Sequence, residues 1–483
     1  MRKIIPFRLI ILLFFLLTTY AFSQQYILLG WNDLGMHCSN KDFSKMAVLP
    51  PYNNIHAQLI LKMPNQLPQI VTSGYTIEYS IPGNTYSVGK TNFWTYAQEL
   101  FNLPAPLTPN IGLTGHGLTG IMDTTGNNFI STGIPVTPYQ DDDLINEKPY
   151  HTIHLEAKAV GSSTVLAFTD VVIPVSNEIT CVNAGCHASE QAILNEHENV
   201  SGFSITGPNL CAKCHASNAL GTTGNSEAGI FSYRIHNTHK DLLPANDINT
   251  CYNCHPGPNT QCFRDVMRNN QNNPLKCQNC HGTLADVASS VAGGRRPWLD
   301  EPKCGNTTCH GSNFAEEPNK LFRMSEGHGG LFCSACHGSP HAILPTSQPN
   351  DNLQNIRLQG FAGTLRTCLT CHTSPPPGPG PHGMVYTSVE QENFTPGSCI
   401  LYNAYPNPFN PKTHIDYVIS KSGNVKLIVY DVMGNVVATL VNNFQNAGNH
   451  SIDFSGNSLA SGVYYYTLIS GDFKKTHKML LLK

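Results

Sequence analysis

Short runs of alternating apolar and polar residues, broken by glycine, proline and asparagine, fill the first third of the chain. Tyr75-Thr76-Ile77-Glu78-Tyr79-Ser80-Ile81 keeps a period of two, and Thr164-Val165-Leu166-Ala167-Phe168 leads into Val171-Val172-Ile173-Pro174-Val175. Runs of this kind bounded by turn residues predict strands, so residues 24–180 read as a mainly β, sandwich-like region. The pattern returns over 399–483. There Ile415, Tyr417 and Ile419 alternate, as do Val425, Leu427 and Val429, and Gly434-Asn435 predicts a turn before Val436-Val437-Ala438-Thr439-Leu440-Val441. Residues 181–372 lack such patterning. Breakers such as Pro256-Gly257-Pro258 and Gly293-Gly294 predict short helical turns joined by coil. A linker over 373–398 starts Thr373-Ser374-Pro375-Pro376-Pro377-Gly378-Pro379-Gly380-Pro381. The fold class expected is a multidomain chain with β regions at both ends and little regular structure between them.

The N-terminus carries a different pattern. Arg2, Lys3 and Arg8 precede an apolar run of nine residues, Leu9 to Leu17, and Ala21-Phe22-Ser23 places small residues at −3 and −1. This predicts a signal peptide over 1–23, cut near Ser23–Gln24. A transmembrane anchor needs about 20 apolar residues, so this run is too short. The mature chain is expected outside the cytoplasm, reached through the periplasm, where cysteines are oxidised or covalently loaded.

Composition narrows the function. The 483 residues suggest two to four domains. Charged residues are 13% and the net charge is −3, which excludes nucleic-acid binding through bulk positive charge and a highly charged disordered chain. The outlying numbers are 17 cysteines and 21 histidines. Fifteen of the cysteines fall within 181–372.

Those cysteines repeat as Cys-x-x-Cys-His five times: Cys211/Cys214/His215, Cys251/Cys254/His255, Cys277/Cys280/His281, Cys333/Cys336/His337 and Cys368/Cys371/His372. Composition alone yields only about 0.03 copies. Two further sites have a four-residue spacer, Cys181/Cys186/His187 and Cys304/Cys309/His310. The spacing fits thioether attachment of haem c. Two thiols one helical turn apart meet the two vinyl groups of the macrocycle, and the next residue turns its imidazole onto the iron. The longer spacers, Val182-Asn183-Ala184-Gly185 and Gly305-Asn306-Thr307-Thr308, are mostly small or turn-forming and allow two residues to loop out. Zinc ribbons also use Cys-x-x-Cys pairs, but zinc does not require histidine after the second cysteine at every site. A structural disulfide is the alternative for the two longer sites.

Residues 181–372 therefore resemble a multihaem c-type cytochrome with seven covalently bound haems. About 27 residues per site are too few to build a protein core around each haem, so the macrocycles are expected to form the core. Two histidines per iron would need seven distal ligands. Outside the motifs the middle and linker regions offer six: His197, His236, His239, His328, His341 and His382. His236 and His239 lie i,i+3 and are placed to serve two adjacent sites, and His341 is expected to reach a neighbouring site rather than that of His337. The seventh ligand has four answers. A histidine of the N-terminal region would serve, His37 first, then His56, with His116, His151 and His154 behind. A sulfur of Met267, Met324 or Met384 would raise the potential of that haem. A neighbouring subunit would build a filament, and an open position would mean catalysis. The segment Trp31-Asn32-Asp33-Leu34-Gly35-Met36-His37-Cys38 resembles the start of other exported multihaem cytochromes. Cys38, Cys262 and Cys399 stand outside the motifs, with a Cys38–Cys262 disulfide and free thiols as the two alternatives.

The tail carries its own signature: Tyr405-Pro406-Asn407-Pro408-Phe409-Asn410-Pro411, Val429-Tyr430-Asp431-Val432-Met433-Gly434, Leu459-Ala460-Ser461-Gly462-Val463-Tyr464-Tyr465-Tyr466 and a closing Lys478-Met479-Leu480-Leu481-Leu482-Lys483. It resembles the type A sorting domain of the type IX secretion system. That resemblance implies an Ig-like β-sandwich over 399–483, the secretion machinery as partner, and a secreted or cell-surface location. His414, His450 and His477 are then ordinary residues of a β domain.

The function expected is an exported carrier passing electrons through packed haems to extracellular acceptors or partner cytochromes, with filament assembly as a variant. The competing expectation is a multihaem reductase of a small nitrogen or sulfur compound at one open haem. The lysine-ligated motif Cys-x-x-Cys-Lys is absent, which weakens a nitrite-reductase-like reading.

Overall fold

The computed structural model describes residues 25–383 and 399–482, apart from 180, 183–184, 258, 271–273, 307–308, 312–315, 375, 377–379, 403, 405–406, 420 and 446–447. The expected leader, Met384 and much of the linker lie outside the described residues.

Two β-sheets build the N-terminal region. One orders Gln25–Asn32, Ile55–Lys62, Asn128–Ser131 and Asp123–Thr125, with Gln69–Ile70 added to Ile55–Lys62. The other orders His37–Cys38, Val165–Ser176, Tyr150–Ala159, Tyr75–Ser80 and Thr119–Ile121. The two apolar runs at 164–168 and 171–175 merge into one strand, Val165–Ser176, paired antiparallel with Tyr150–Ala159 from Tyr150↔Pro174 onward. Along Tyr150–Ala159 every second residue is buried, as a strand with one face on a core requires. Leu28, Leu59, Ile77, Phe129, Ile153, Leu155 and Ile173 fill the space between the sheets.

The first sheet is covered on both faces. Leu28 points into the sandwich, while its neighbours Leu29 and Trp31 pack outward against Leu331, Phe332, Ala335, Leu358 and Leu365 of the middle region. Gly30 marks the tightest approach between the sheets. A Cβ there would come within 2.7 Å of Val171 Cγ2 and 2.8 Å of Leu155 Cδ1.

Polar contacts tie the same two regions together. Lys62 Nζ donates to the carbonyls of Leu369 (2.9 Å) and Thr370 (2.8 Å). Glu178 accepts from the backbone N–H groups of Gly257, Asn259 and Thr260 at 3.0–3.1 Å. Within the middle region, the buried Arg264 grips Asp351 with Nε at 2.6 Å and Nη2 at 2.8 Å, and its Nη1 reaches across to the Gly35 carbonyl at 2.7 Å.

The middle region is built from short pieces. The longest helix that carries a candidate ligand is Phe231–His239, and Leu284–Ala292 packs beside it. Among the described residues, each large apolar cluster lies in or leans on one of the β regions.

The C-terminal region is a second pair of sheets. Ile400–Leu401, Lys412–Ile419 and Gly448–Ser455 form one; Val436–Gln445, Gly423–Tyr430, Gly462–Ser470 and Phe473–Leu481 form the other. Ile415, Tyr417, Ile419, Val425, Leu427 and Val429 all point into its core. Gly434 turns the chain with φ 83°, and Asp431 Oδ1 accepts from the Asn435 N–H at 2.9 Å.

Candidate functional site

The five short motifs each close one tight turn. In three of them the histidine N–H donates to the carbonyl of the first cysteine at 2.9 Å: His215 to Cys211, His255 to Cys251 and His372 to Cys368. Cys277–His281 and Cys333–His337 are single α-helical turns. An i→i−4 bond places both thiols and the imidazole on one side of the turn. The wider spacer keeps this closure: His310 N–H reaches the Cys304 carbonyl at 3.3 Å while Cys309 N–H bonds the Asn306 carbonyl.

The thiols of the first two motifs differ in their surroundings. Cys186 is exposed, while Cys181 is half-buried and burial raises its thiol. Gly185, directly before Cys186, holds φ 77°. In the second motif burial raises Cys211 to about 12. Cys214 lies past the end of the short 3-10 turn Cys211–Lys213 and stays half-exposed. Its N–H reaches the Cys211 carbonyl at 3.3 Å, and its own carbonyl accepts from the Asn225 N–H at 2.7 Å. The motif spacing, rather than burial, is what makes Cys186 and Cys214 candidates for attachment. Among the other second cysteines, Cys280 and Cys309 are exposed, whereas burial raises Cys254 to about 11, Cys336 to about 12 and Cys371 to about 11.

Six motif histidines face six non-motif histidines. The ring centroids lie 6.2 Å apart for His187–His239, 6.2 Å for His197–His215, 6.3 Å for His236–His255, 6.0 Å for His281–His341, 6.0 Å for His328–His372 and 6.0 Å for His337–His382. With metal–nitrogen bonds of about 2 Å and a ring nitrogen about 1 Å from the ring centre, one metal between two imidazoles sets the centroids roughly 6 Å apart.

The ring nitrogens are oriented for that role. Nδ1 of His236 donates to the Ser232 carbonyl (2.7 Å), of His239 to Ile235 (2.7 Å), of His215 to Ala228 (3.0 Å) and of His197 to Ile193 (3.2 Å). A carbonyl only accepts, so these Nδ1 atoms carry the proton and leave Nε2 as a lone-pair donor. Burial pushes His255, His281 and His341 down to about 4, and it holds His215, His236, His337 and His372 below the ordinary histidine value. All seven are therefore neutral imidazoles at pH 7. His341 (φ 64°) and His382 (φ 54°) stand in the left-handed region, which costs about 1–2 kcal/mol for an L-residue. Tertiary contacts hold His341 there, including a hydrogen bond to the backbone of Leu34.

The donor set has one further property. Among the described residues no group of three or more His, Cys, Asp or Glu side chains is arranged to hold a bare ion. Two opposed imidazoles leave the equatorial positions of a metal to something other than protein side chains. Two imidazoles of this kind are residues that would fit a macrocycle-bound metal.

His310 faces none of the other histidines, and all twenty-one of them are described. The structure places the sequence candidates for a seventh distal ligand elsewhere. His37 bonds Asp33 through Nε2 at 2.7 Å and stands beside Trp298 and Tyr52. His56 stacks on Trp31 and accepts from Asn128. His116 bonds the Thr132 carbonyl, His154 pairs with Asp170, and His151 is buried in the N-terminal region. Met267 is half-buried, Met324 is exposed and Met384 is outside the described residues. Cys38 and Cys262 are neighbouring buried thiols, unbonded, and burial raises both, Cys262 to about 12. The carbonyls that orient the Nδ1 atoms left no trace in the sequence, because a backbone acceptor has no residue type.

The motif sites adjoin one another. His187 and His197, ten residues apart, join the first site to the second, and His236 and His239 on one helix join the third to the first. The thiols of Cys251 and Cys277 hydrogen-bond, which joins the third to the fourth. Cys280 neighbours Cys309, His310 neighbours His337, and Cys336 neighbours Cys371. The sites run as one line in the order second, first, third, fourth, fifth, sixth, seventh.

In the tail, His450 stacks on Tyr417, His477 stacks on Tyr466 and His414 pairs with Asp453, all inside the β domain. Residues 403–482 match the family described as the secretion system C-terminal sorting domain. The class of protein this defines is a cargo of the type IX secretion machinery, directed to the cell surface or the extracellular space. No curated protein matches the chain. Two solved structures from Porphyromonas gingivalis are similar to it. One is PorZ, an essential bacterial surface component of the type-IX secretion system, with 15% identity over 17% of this chain and 11% of that chain at a TM-score of 0.14. The other is dimeric latent PorU, with 10% identity over 95% of this chain and 34% of that chain at a TM-score of 0.16. The chain thus spans well under half the length of either, and at those scores neither likeness bears on the fold. Among the described residues no helix is long and apolar enough to cross a membrane.

Proposed function

We propose that residues 181–372 bind seven haems c through the seven motifs and that the protein relays electrons along them outside the cell, to extracellular acceptors or partner cytochromes. The observation that carries this reading is the set of six opposed histidine pairs with centroids 6.0–6.3 Å apart, each joining a motif histidine to one from another part of the chain. Haem supplies the one-electron redox chemistry.

The chain's own residues do the positioning. Each tight turn presents two thiols and one imidazole together. The carbonyls of Ser232, Ile235, Ala228 and Ile193 hold the Nδ1 protons and aim Nε2 inward. Burial favours the neutral form of His215, His236, His255, His281, His337, His341 and His372, which leaves a lone pair for coordination. Paired histidine ligation favours low potentials over the higher ones of a methionine ligand. The succession of neighbouring motifs supports transfer from one to the next. The N-terminal sandwich covers one flank of this line and holds the seventh motif through Lys62. The sorting tail supports delivery of this cargo to the outside, after loading in the periplasm.

Intact-mass measurement on the mature protein tests the reading, together with iron and zinc analysis. Seven haem additions with seven irons are expected. Zinc in place of iron, or intact disulfides at Cys181/Cys186 and Cys304/Cys309, would overturn it.

A further inference from the structure

The segment Trp31–Cys38, singled out in the sequence, forms a closed turn between the two sheets of the sandwich. Its first residues end the strand Gln25–Asn32, and His37–Cys38 pairs in parallel with Val175 and Ser176 of the other sheet. Asn32 Oδ1 accepts from the N–H groups of Leu34 (3.2 Å) and Gly35 (2.8 Å), and Asn32 Nδ2 donates to the Asn54 carbonyl at 2.7 Å. Asp33 takes His37 on one oxygen at 2.7 Å and Asn54 Nδ2 on the other at 2.8 Å. Asn32, Asp33 and His37 are all buried. A turn tied at both ends and crossed by satisfied buried bonds is rigid.

This turn lies against the loop that carries His341. Ser339 Oγ donates to the Asn32 carbonyl. The Leu34 backbone bonds the His341 ring in a way that favours its protonated form, so the Leu34 carbonyl accepts from a ring N–H. Gly35, at φ 76°, passes so close to Pro340 that a Cβ there would fall 2.0 Å from the Pro340 carbonyl oxygen. Arg264 clamps the two segments together. Its Nη1 donates to the Gly35 carbonyl at 2.7 Å, and its backbone N–H donates to the His341 carbonyl at 3.0 Å. The Phe263 ring stands edge-on to His341 at 6.2 Å. Within these contacts His341 keeps φ 64°, and its ring centroid lies 6.0 Å from that of His281, the histidine of the fourth motif.

We propose that this turn is the mount of the fourth site's distal ligand, with Gly35 and Leu34 as positioning residues for His341. This rests on the haem reading of the motifs. It gives the N-terminal region a part in ligation through its backbone rather than through a histidine of its own. The Leu34 carbonyl holds one ring proton, so the other ring nitrogen keeps its lone pair for the metal. Gly35 lets the two backbones meet. With a Cβ at that position the Pro340 carbonyl must retreat by more than about 1 Å to regain an ordinary carbon–oxygen contact. His341 is the next residue, and a metal–nitrogen bond of about 2 Å does not stretch that far.

The test compares Gly35→Ala holoprotein with the parent, His341→Ala and Gly30→Ala, by haem counting, low-temperature EPR of the oxidised form and carbon monoxide titration of the reduced form. Seven haems are expected in each. Gly35→Ala and His341→Ala should each lose one low-spin signal and take up one more carbon monoxide per chain than the parent, and the double variant no more than either. Gly30→Ala crowds Val171 and Leu155 rather than Pro340, and should match the parent in both readouts. If Gly35→Ala does not accumulate, Ser339→Ala decides. It loses only the hydroxyl on the Asn32 carbonyl, and should shift the g-values of one low-spin signal without added uptake. Parent-like spectra and uptake in Gly35→Ala or His341→Ala, or parent-like spectra in the deciding Ser339→Ala, would overturn the proposal and leave the relay standing. So would the same change in Gly30→Ala, which would mark it as general loosening. A haem count of zero in the parent would instead remove the relay reading and this proposal with it.

Discussion

Replacing Arg264 by methionine is the sharpest perturbation of the joint between the two regions. The guanidinium and the Asp351 carboxylate are each almost wholly buried, at 1% and 2% side-chain exposure. Their contact is bidentate, with a third bond to the Gly35 carbonyl and the face of Tyr150 at 4.8 Å. In Arg264→Met the carboxylate stays buried with the Thr346 hydroxyl at 2.7 Å as one remaining donor. Losing one member of a buried ion pair costs about 3–5 kcal/mol. With a urea slope of about 3 kcal/mol per molar, the midpoint should drop by roughly 1–1.7 M. Far-UV circular dichroism in urea follows this through the β-sheets without interference from bound cofactor. The double variant Arg264→Met/Asp351→Leu removes both charges, and most of the loss should return, because the penalty lies in the orphaned charge rather than in the missing attraction. A single variant that shifts the midpoint by less than about 0.3 M, equivalent to roughly 1 kcal/mol, would refute the reasoning. So would a double variant no more stable than the single one.

Four further outcomes follow from the same contacts. Lys62→Met strips the donors from the Leu369 and Thr370 carbonyls and should cost about 1–3 kcal/mol, read as a lower urea midpoint, with Lys62→Arg retaining part of it. His151 is buried with Nε2 unbonded and is pushed down to about 4 by burial. The unfolded chain therefore takes its proton first, and stability should be full above about pH 6.5 and fall by up to roughly 3 kcal/mol towards pH 4, a loss that His151→Leu should flatten relative to the parent. His236→Ala and His239→Ala should each add one carbon monoxide site per chain to the reduced holoprotein, and the double variant two, counted by optical titration. Deleting residues 403–482 should leave the protein in the periplasm, as fractionation and immunoblotting would show.

Much of this architecture is written locally. A strand announces itself by period two, and Ile415, Tyr417 and Ile419 alternate in sequence as they do in the core. The motif turns are equally local, since an i→i−4 bond needs only the spacing itself. The depth of each thiol is not, because spacing does not say which side of a turn meets solvent; Cys186, Cys280 and Cys309 are the exposed ones among the motif cysteines. The pattern also hides any surface used twice. Leu29 and Trp31 read as the outer face of a sandwich strand, but they are covered because the middle region lies against them. Residues Val165–Ser176 read as two runs because Thr169 and Asp170 interrupt the apolar pattern, and backbone pairing with Tyr150–Ala159 carries the strand through. The distal pairing is tertiary in the same sense. The i,i+3 spacing of His236 and His239 separates their directions, but which motif each one meets depends on how the helix lies. His37 stood out in sequence through its neighbours, and its placement turns on Asp33, four residues earlier, which takes the nitrogen a metal would need.

The helix Phe231–His239 also acts as a rigid spacer. Two of its side chains reach toward different motifs from positions one turn apart, a rise of about 4.5 Å along its axis. The gap between the two proposed haem sites is thereby ruled by peptide geometry rather than by soft side-chain packing. Thermal breathing of the surrounding coil would move both centres as one body and leave the step between them unchanged. A single residue inserted between His236 and His239 would twist one ring about 100° away from its partner and cut the conductor there while leaving every cysteine in place.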